Sequence, residues 1–168
     1  IGQNGCGKST LLKTVSKAVT PRRGEIIYLD QKISSYQHKR LAKKIAYLAQ
    51  VHESPPDIDV RTLVSYGRFP YSHFGRVMTS DDGEIIDRAI SLTGLTHLRE
   101  RILSTLSGGE RQRAWSAMTI AQQPEILILD EPTTYLDVSY QVEVLELIHR
   151  LNRKLGITIV MVLHDINL

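Results

Sequence analysis

The stretch that most constrains this chain is Gly2-Gln3-Asn4-Gly5-Cys6-Gly7-Lys8-Ser9-Thr10, which meets the spacing G-x-x-x-x-G-K-[ST]. Glycines at positions 2, 5 and 7 let the backbone turn tightly, with N–H groups aimed inward at an anion. A helix starting near Gly7-Lys8 adds its orphan N–H groups and positive dipole end to the same concavity. Lys8 is then placed to reach the β- and γ-phosphates of a nucleotide, and the Ser9 hydroxyl to bind Mg²⁺. Such a loop follows a strand, and only Ile1 stands before it here. The chain therefore reads as beginning in mid-motif.

Length and composition narrow the class. The 168 residues suit one domain, 42% of them hydrophobic and 23% charged, as in ordinary globular proteins. A net charge of +3 is too slight to imply a nucleic-acid partner. The single cysteine, Cys6, rules out an intrachain disulfide framework and fits a reducing compartment. The longest apolar run, Ile157 to Leu163, is far too short to span a bilayer.

Periodicity organises the rest. Leu11, Leu12, Val15, Ala18 and Val19 predict a helix after the loop, and Glu25 to Leu29 a strand turning at Asp30-Gln31. His38 to Lys44 predicts a short basic helix, and Ile45 to Ala49 a buried strand closed by Gln50. Val60 to Tyr66 reads as a helix stopped by Gly67 and Pro70, with Arg68 to Val77 irregular. A helix after Asp81-Asp82 carries Ile85, Ile86, Ala89 and Ile90 and ends at Gly94. A further helix runs from Gly109 to about Gln123. Ile126 to Leu129 is a buried parallel strand delivering Asp130-Glu131, and Thr158 to Leu163 another delivering His164. Strand–helix–strand alternation predicts an α/β fold with a parallel sheet and chemistry at its carboxyl ends. The lobes divide as residues 1–50 and 124–168 for the nucleotide-binding core and 51–123 for a helical subdomain.

Two further constellations carry chemistry. After a phosphate loop, Asp130 is suited to hold Mg²⁺ through water and Glu131 to polarise a water attacking the γ-phosphate. Leu106-Ser107-Gly108-Gly109-Glu110-Arg111-Gln112 opens a helix with a serine and two glycines, a second anion site that the same subunit has no need of.

Together these motifs resemble the ATP-binding cassette (ABC) ATPase family, across the whole chain and in the right order. The resemblance implies a P-loop NTPase fold with a parallel core sheet and a helical signature subdomain, truncated at both ends. It makes Gly2 to Thr10 the Walker A loop, so that Gly2, Asn4, Gly5, Cys6, Gly7, Lys8, Ser9 and Thr10 contact nucleotide. Gln50 becomes the Q-loop glutamine, a ligand of Mg²⁺ beside Ser9 and Asp130. Ser107, Gly108 and Gly109 belong to the signature, Ile126 to Glu131 to Walker B, Asp137 to the D-loop, and His164 is the switch histidine. ATP and Mg²⁺ are the implied cofactors, and Glu131, His164 and Gln50 the catalytic set. Signature and phosphate loop meet across a head-to-tail dimer, which leaves Ser107 without a local purpose.

Leu41 to Gln50, Val64 to Pro70, Phe74-Gly75-Arg76 and Met161 to Leu168 look like the importers of iron–siderophores, haem or vitamin B12. That branch implies membrane permease subunits, a substrate-binding protein acting through them, and a place on the cytoplasmic membrane face. Phe69, Tyr71 and Phe74 suit either a permease-facing surface or packing of the helical lobe. Family members usually carry an aliphatic residue where Ser116 stands, and alanine-leucine where Thr119-Ile120 stand. Other readings stay open: a soluble ABC ATPase of translation or DNA repair, or an inactive fragment of the transporter subunit. The chain by itself is expected to hydrolyse ATP barely or not at all.

Overall fold

A parallel sheet needs helical crossovers between its strands, and the chain supplies them. The computed structural model describes residues 5–50, 57–72, 78–133 and 138–163. Within them come α1 (Lys8–Val15), β1 (Ile27–Tyr28), β2 (Gln31–Lys32), α2 (His38–Ala42) and β3 (Ile45–Leu48). Then follow α3 (Val60–Ser65), α4 (Ser80–Leu92), α5 (Gly108–Ala121), β4 (Ile126–Asp130), α6 (Val138–Leu155) and β5 (Thr158–Val162). The parallel sheet runs β3-β4-β5, with Tyr47 paired to Ile128 and Asp130 to Val162. The α/β class read from the sequence is the one observed.

Alternation along the strands sends side chains to opposite faces. Ile45 and Ile128 face a cluster with Leu12, Ile33 and Leu41, and Tyr47 and Val162 pack against it. Ala46, Leu48, Leu127 and Leu129 face the other way, onto Val144 and Ile148 of α6 and Ile157. A separate cluster joins α3, α4 and α5 through Val60, Leu63, Val64, Ile86, Ile90, Ala114 and Ala117.

Three details differ from the sequence reading. The first strand shrinks to Ile27–Tyr28, because Leu29 and Asp30 both take positive φ (46° and 59°) and make the tight hairpin turn into β2. Gly67 and Pro70 do not stop helical backbone: a 3₁₀ turn continues over Tyr66–Tyr71. A Cβ at Gly67 would lie 2.1 Å from the Met118 carbonyl oxygen of α5, so a glycine there lets the turn touch that helix. Finally, β5 is only half covered, with Val160 42% and Met161 37% exposed. Among the described strands it pairs with β4 alone.

The carboxyl end of α5 is held by an unusual number of polar ties. Arg68, 8% exposed, donates through Nε to Asp82 Oδ1 at 2.8 Å. Its Nη1 donates to the Ala121 carbonyl at 2.9 Å and to Gln123 Oε1 at 3.1 Å, and its guanidinium lies 3.8 Å over the Tyr71 ring. The Tyr71 hydroxyl donates to the Gln122 carbonyl at 3.0 Å, and the Gln122 amide donates to the carbonyls of Ala42 and Ile45. Tyr71 is thus a packing residue, whereas Phe69 is 73% exposed. Phe74 lies outside the described residues. The Ser116 and Thr119 hydroxyls are absorbed inside α5, donating to the carbonyls of Gln112 and Ser116.

Candidate functional site

The site forms where α1 begins and β3 and β4 end. Gly5 and Gly7 adopt φ of 79° and 93°, values that cost a side-chain-bearing residue about 1–2 kcal/mol. Gly7 is the residue from which α1 starts, and no side chain caps the helix there. Lys8 and Ser9, the first residues of that turn, are half-buried. Cys6 is a free, exposed thiol in the same loop.

Strand β4 then delivers the carboxylates. Asp130 lies on the α1-facing side of the sheet and is 3% exposed. Its Oδ1 accepts from Ser9 Oγ at 2.9 Å, and its Oδ2 accepts from the Tyr47 hydroxyl at 2.9 Å. Burial first, and then that hydrogen bond, push the Tyr47 phenol above its ordinary pKa, so it stays a donor. One position on, Glu131 takes φ of 50° while its N–H donates to the Val162 carbonyl at 3.0 Å. That turn at the strand end leaves its carboxylate beside the exposed Gln50, whose Nε2 donates to Glu131 Oε2 at 2.6 Å. Residues far apart in sequence, Ser9, Gln50, Asp130 and Glu131, therefore share one corner.

A buried carboxylate held by two hydroxyls is an all-oxygen set, the kind that a hard divalent cation accepts. Among the described residues no group of three or more His, Cys, Asp or Glu is gathered as a metal cage. An oxygen donor set of this kind fits Mg²⁺, which takes one or two protein oxygens and completes its shell with water and phosphate.

The Ser107-Gly108-Gly109 segment does have a local purpose, contrary to the expectation above. Ser107 caps α5: its Oγ accepts from the Glu110 N–H at 3.3 Å, and its own N–H donates to Glu110 Oε2 at 2.8 Å. The helix needs these bonds because its first amides have no partners inside it. The Ser107 backbone N–H first, and then its hydroxyl, hold the Glu110 carboxyl below the usual range. Gly109 is buried, and a Cβ there would fall 2.6 Å from the Tyr140 ring on α6. Replacing Ser107 by alanine is expected to lower stability by about 1 kcal/mol, seen as an earlier denaturant midpoint. Ser107 and Gly108 remain exposed at the helix tip.

Sequence reasoning found every member of the corner except Tyr47. Its signal is the strand register, which places Tyr47 on the same face as Asp130, and no local motif reports a register. Gly2, Asn4, Asp137 and His164 lie outside the described residues.

Comparison with known proteins extends this picture. The family model described as "ABC transporter" matches residues 1–134. The ferric enterobactin transport ATP-binding protein FepC of Escherichia coli is 47% identical over 167 residues, 99% of this chain and 62% of that protein. The petrobactin import ATP-binding protein FpuD of Bacillus anthracis is 48% identical over 168 residues, 100% of this chain and 62% of that protein. The iron(3+)-hydroxamate import ATP-binding protein FhuC of Bacillus subtilis is 49% identical, over 99% of this chain and 62% of that protein. A structure of an inward-facing transporter described as metal-chelate type superposes with a TM-score of 0.85 at 34% identity, covering 98% of this chain and 61% of that one. A dimeric cassette bound to ADP and Pi superposes with a TM-score of 0.81 at 28% identity, covering 99% of this chain and 73% of that one. The chain thus spans about 62% of the length of these curated relatives.

Proposed function

Because the chain belongs to the ABC transporter family of ATP-binding proteins, we propose that it is the nucleotide-handling part of an ATPase subunit that powers import of an iron–siderophore or related metal chelate. The observation that carries the reading is the corner in which Ser9, Asp130, Gln50 and Glu131 meet at the start of α1. The relatives named for siderophore import supply the cargo class.

The chemistry follows from the positions of the groups. The amides of the first turn of α1, with Lys8, hold the β- and γ-phosphates of ATP. Ser9, Asp130 and Gln50 hold Mg²⁺, which when bound neutralises developing phosphate charge. Glu131 takes the proton of the attacking water, and its contact with Gln50 keeps the carboxylate at the mouth of the site. His164, which lies outside the described residues, supports that step by the family resemblance. Residues 1–50 and 124–168 act as the core lobe, and 51–123 as the helical one. Ser107, Gly108 and Gly109 of one copy, with Asp137, close on ATP held by a second copy. Permease subunits are the membrane partner, reached at the cytoplasmic face, and no helix of the described residues is long and apolar enough to cross a membrane itself.

Two measurements test this. ATP should convert the complete protein carrying this chain from monomer to dimer in sedimentation velocity when hydrolysis is slowed by Glu131→Gln. A species that stays monomeric at saturating ATP excludes the composite site. Maleimide alkylation of the exposed Cys6 should abolish nucleotide binding by bulk, and ATP should protect the thiol. Equal labelling rates with and without ATP would place the nucleotide elsewhere.

A further inference from the structure

Asp130 is held by two hydroxyls, and the proposed function accounts for only one of them. Ser9 is itself assigned to Mg²⁺, its oxygen facing the ion while its O–H still donates to Asp130 Oδ1. Tyr47 is assigned to nothing. Its hydroxyl reaches Asp130 Oδ2 at 2.9 Å from the neighbouring strand, with its ring packed against the cluster of Leu12, Ile45 and Ile128.

We propose that Tyr47 is a positioning residue for Mg²⁺ binding: its hydroxyl fixes the second oxygen of the Asp130 carboxylate, so that the group stays aimed at the ion. The geometry requires both strands. Tyr47 pairs with Ile128 in the parallel register, so Asp130, two residues further on, stands on the same face. A carboxylate held through one oxygen alone still turns about its last bond. A second donor, fixed by a packed aromatic ring, removes that freedom without bringing a positive charge to the site. Partners of this kind behind a metal ligand typically change metal affinity by about 10–100-fold.

The inference rests on the reading of Asp130 as a Mg²⁺ ligand, and the test separates the two. Binding of a fluorescent ATP analogue to the complete protein is titrated with Mg²⁺, and in EDTA, for the wild type and Tyr47→Phe. The variant should need about tenfold more Mg²⁺ for half-maximal tightening, with its affinity in EDTA unchanged. Superimposable Mg²⁺ curves overturn the role of Tyr47, as does an equal loss of affinity in EDTA, which marks a packing residue. In an Asp130→Asn background, Tyr47→Phe should shift the Mg²⁺ curve no further, and an undiminished shift there also overturns it. A wild type whose binding ignores Mg²⁺ sinks the assignment of Asp130 itself.

Discussion

Glu131→Gln in the complete protein should cut ATP turnover about 10²–10⁴-fold while leaving ATP affinity close to that of the wild type. The substitution keeps the shape of the side chain, and the new amide oxygen still accepts from Gln50 Nε2, which reaches Glu131 at 2.6 Å. Only the capacity to take a proton is lost. The φ of 50° at position 131 belongs to the backbone, so the strand end is undisturbed. Steady-state phosphate release with a parallel binding titration separates the two quantities. Turnover within a few-fold of the wild type shows that Glu131 is not the base, and a matching fall in affinity shows that it helps bind nucleotide.

The second large effect is on stability. Arg68→Met should cost about 3 kcal/mol, because it leaves Asp82, whose side chain is 15% exposed, as a carboxylate without its cation. The carbonyl of Ala121 loses its donor in the same step. The penalty also carries a pH signature. The hydrogen bond from Arg68, above all, holds the Asp82 carboxyl below its ordinary pKa. Its contribution is therefore complete above the unfolded carboxylate range and is lost as pH falls through the depressed folded value. Denaturant midpoints should show the gap between wild type and variant narrowing on acidification, since a neutral Asp82 needs no partner. A gap that is constant with pH, or below about 1 kcal/mol at neutral pH, excludes the ion pair as the clamp.

What the sequence disclosed follows a physical divide. The helices and strands were legible where apolar residues recur with a local period, as along α4 and β4, and where glycines mark the entry to α1. The corner was legible one piece at a time, since the phosphate loop and Asp130-Glu131 are each contiguous motifs. Its joining was not, because Ser9 meets Asp130 across 121 positions and Tyr47 meets it across 83. Such contacts depend on strand order and register, which no short window contains. Ser107 shows the opposite failure. Its capping box with Glu110 lies within four residues and was open to reading, but the resemblance directed attention to a distant partner instead. The half-covered face of β5 escaped because an apolar run reveals a strand without revealing which of its sides is packed.

The clamped end of α5 has a mechanical consequence. The helix of 14 residues is about 21 Å long. At one end Arg68, Tyr71 and Gln122 fasten it to the 66–71 turn and to the start of β3; at the other Ser107 stands exposed on its cap. A rigid rod pinned this way is a lever with its fulcrum on the Tyr66–Tyr71 turn. A tilt of about 10° about that turn corresponds to a displacement of about 4 Å at the tip. Because α5 shares a buried cluster with α3 and α4, those helices have to travel with it, and the serine tip shifts only as part of that three-helix body.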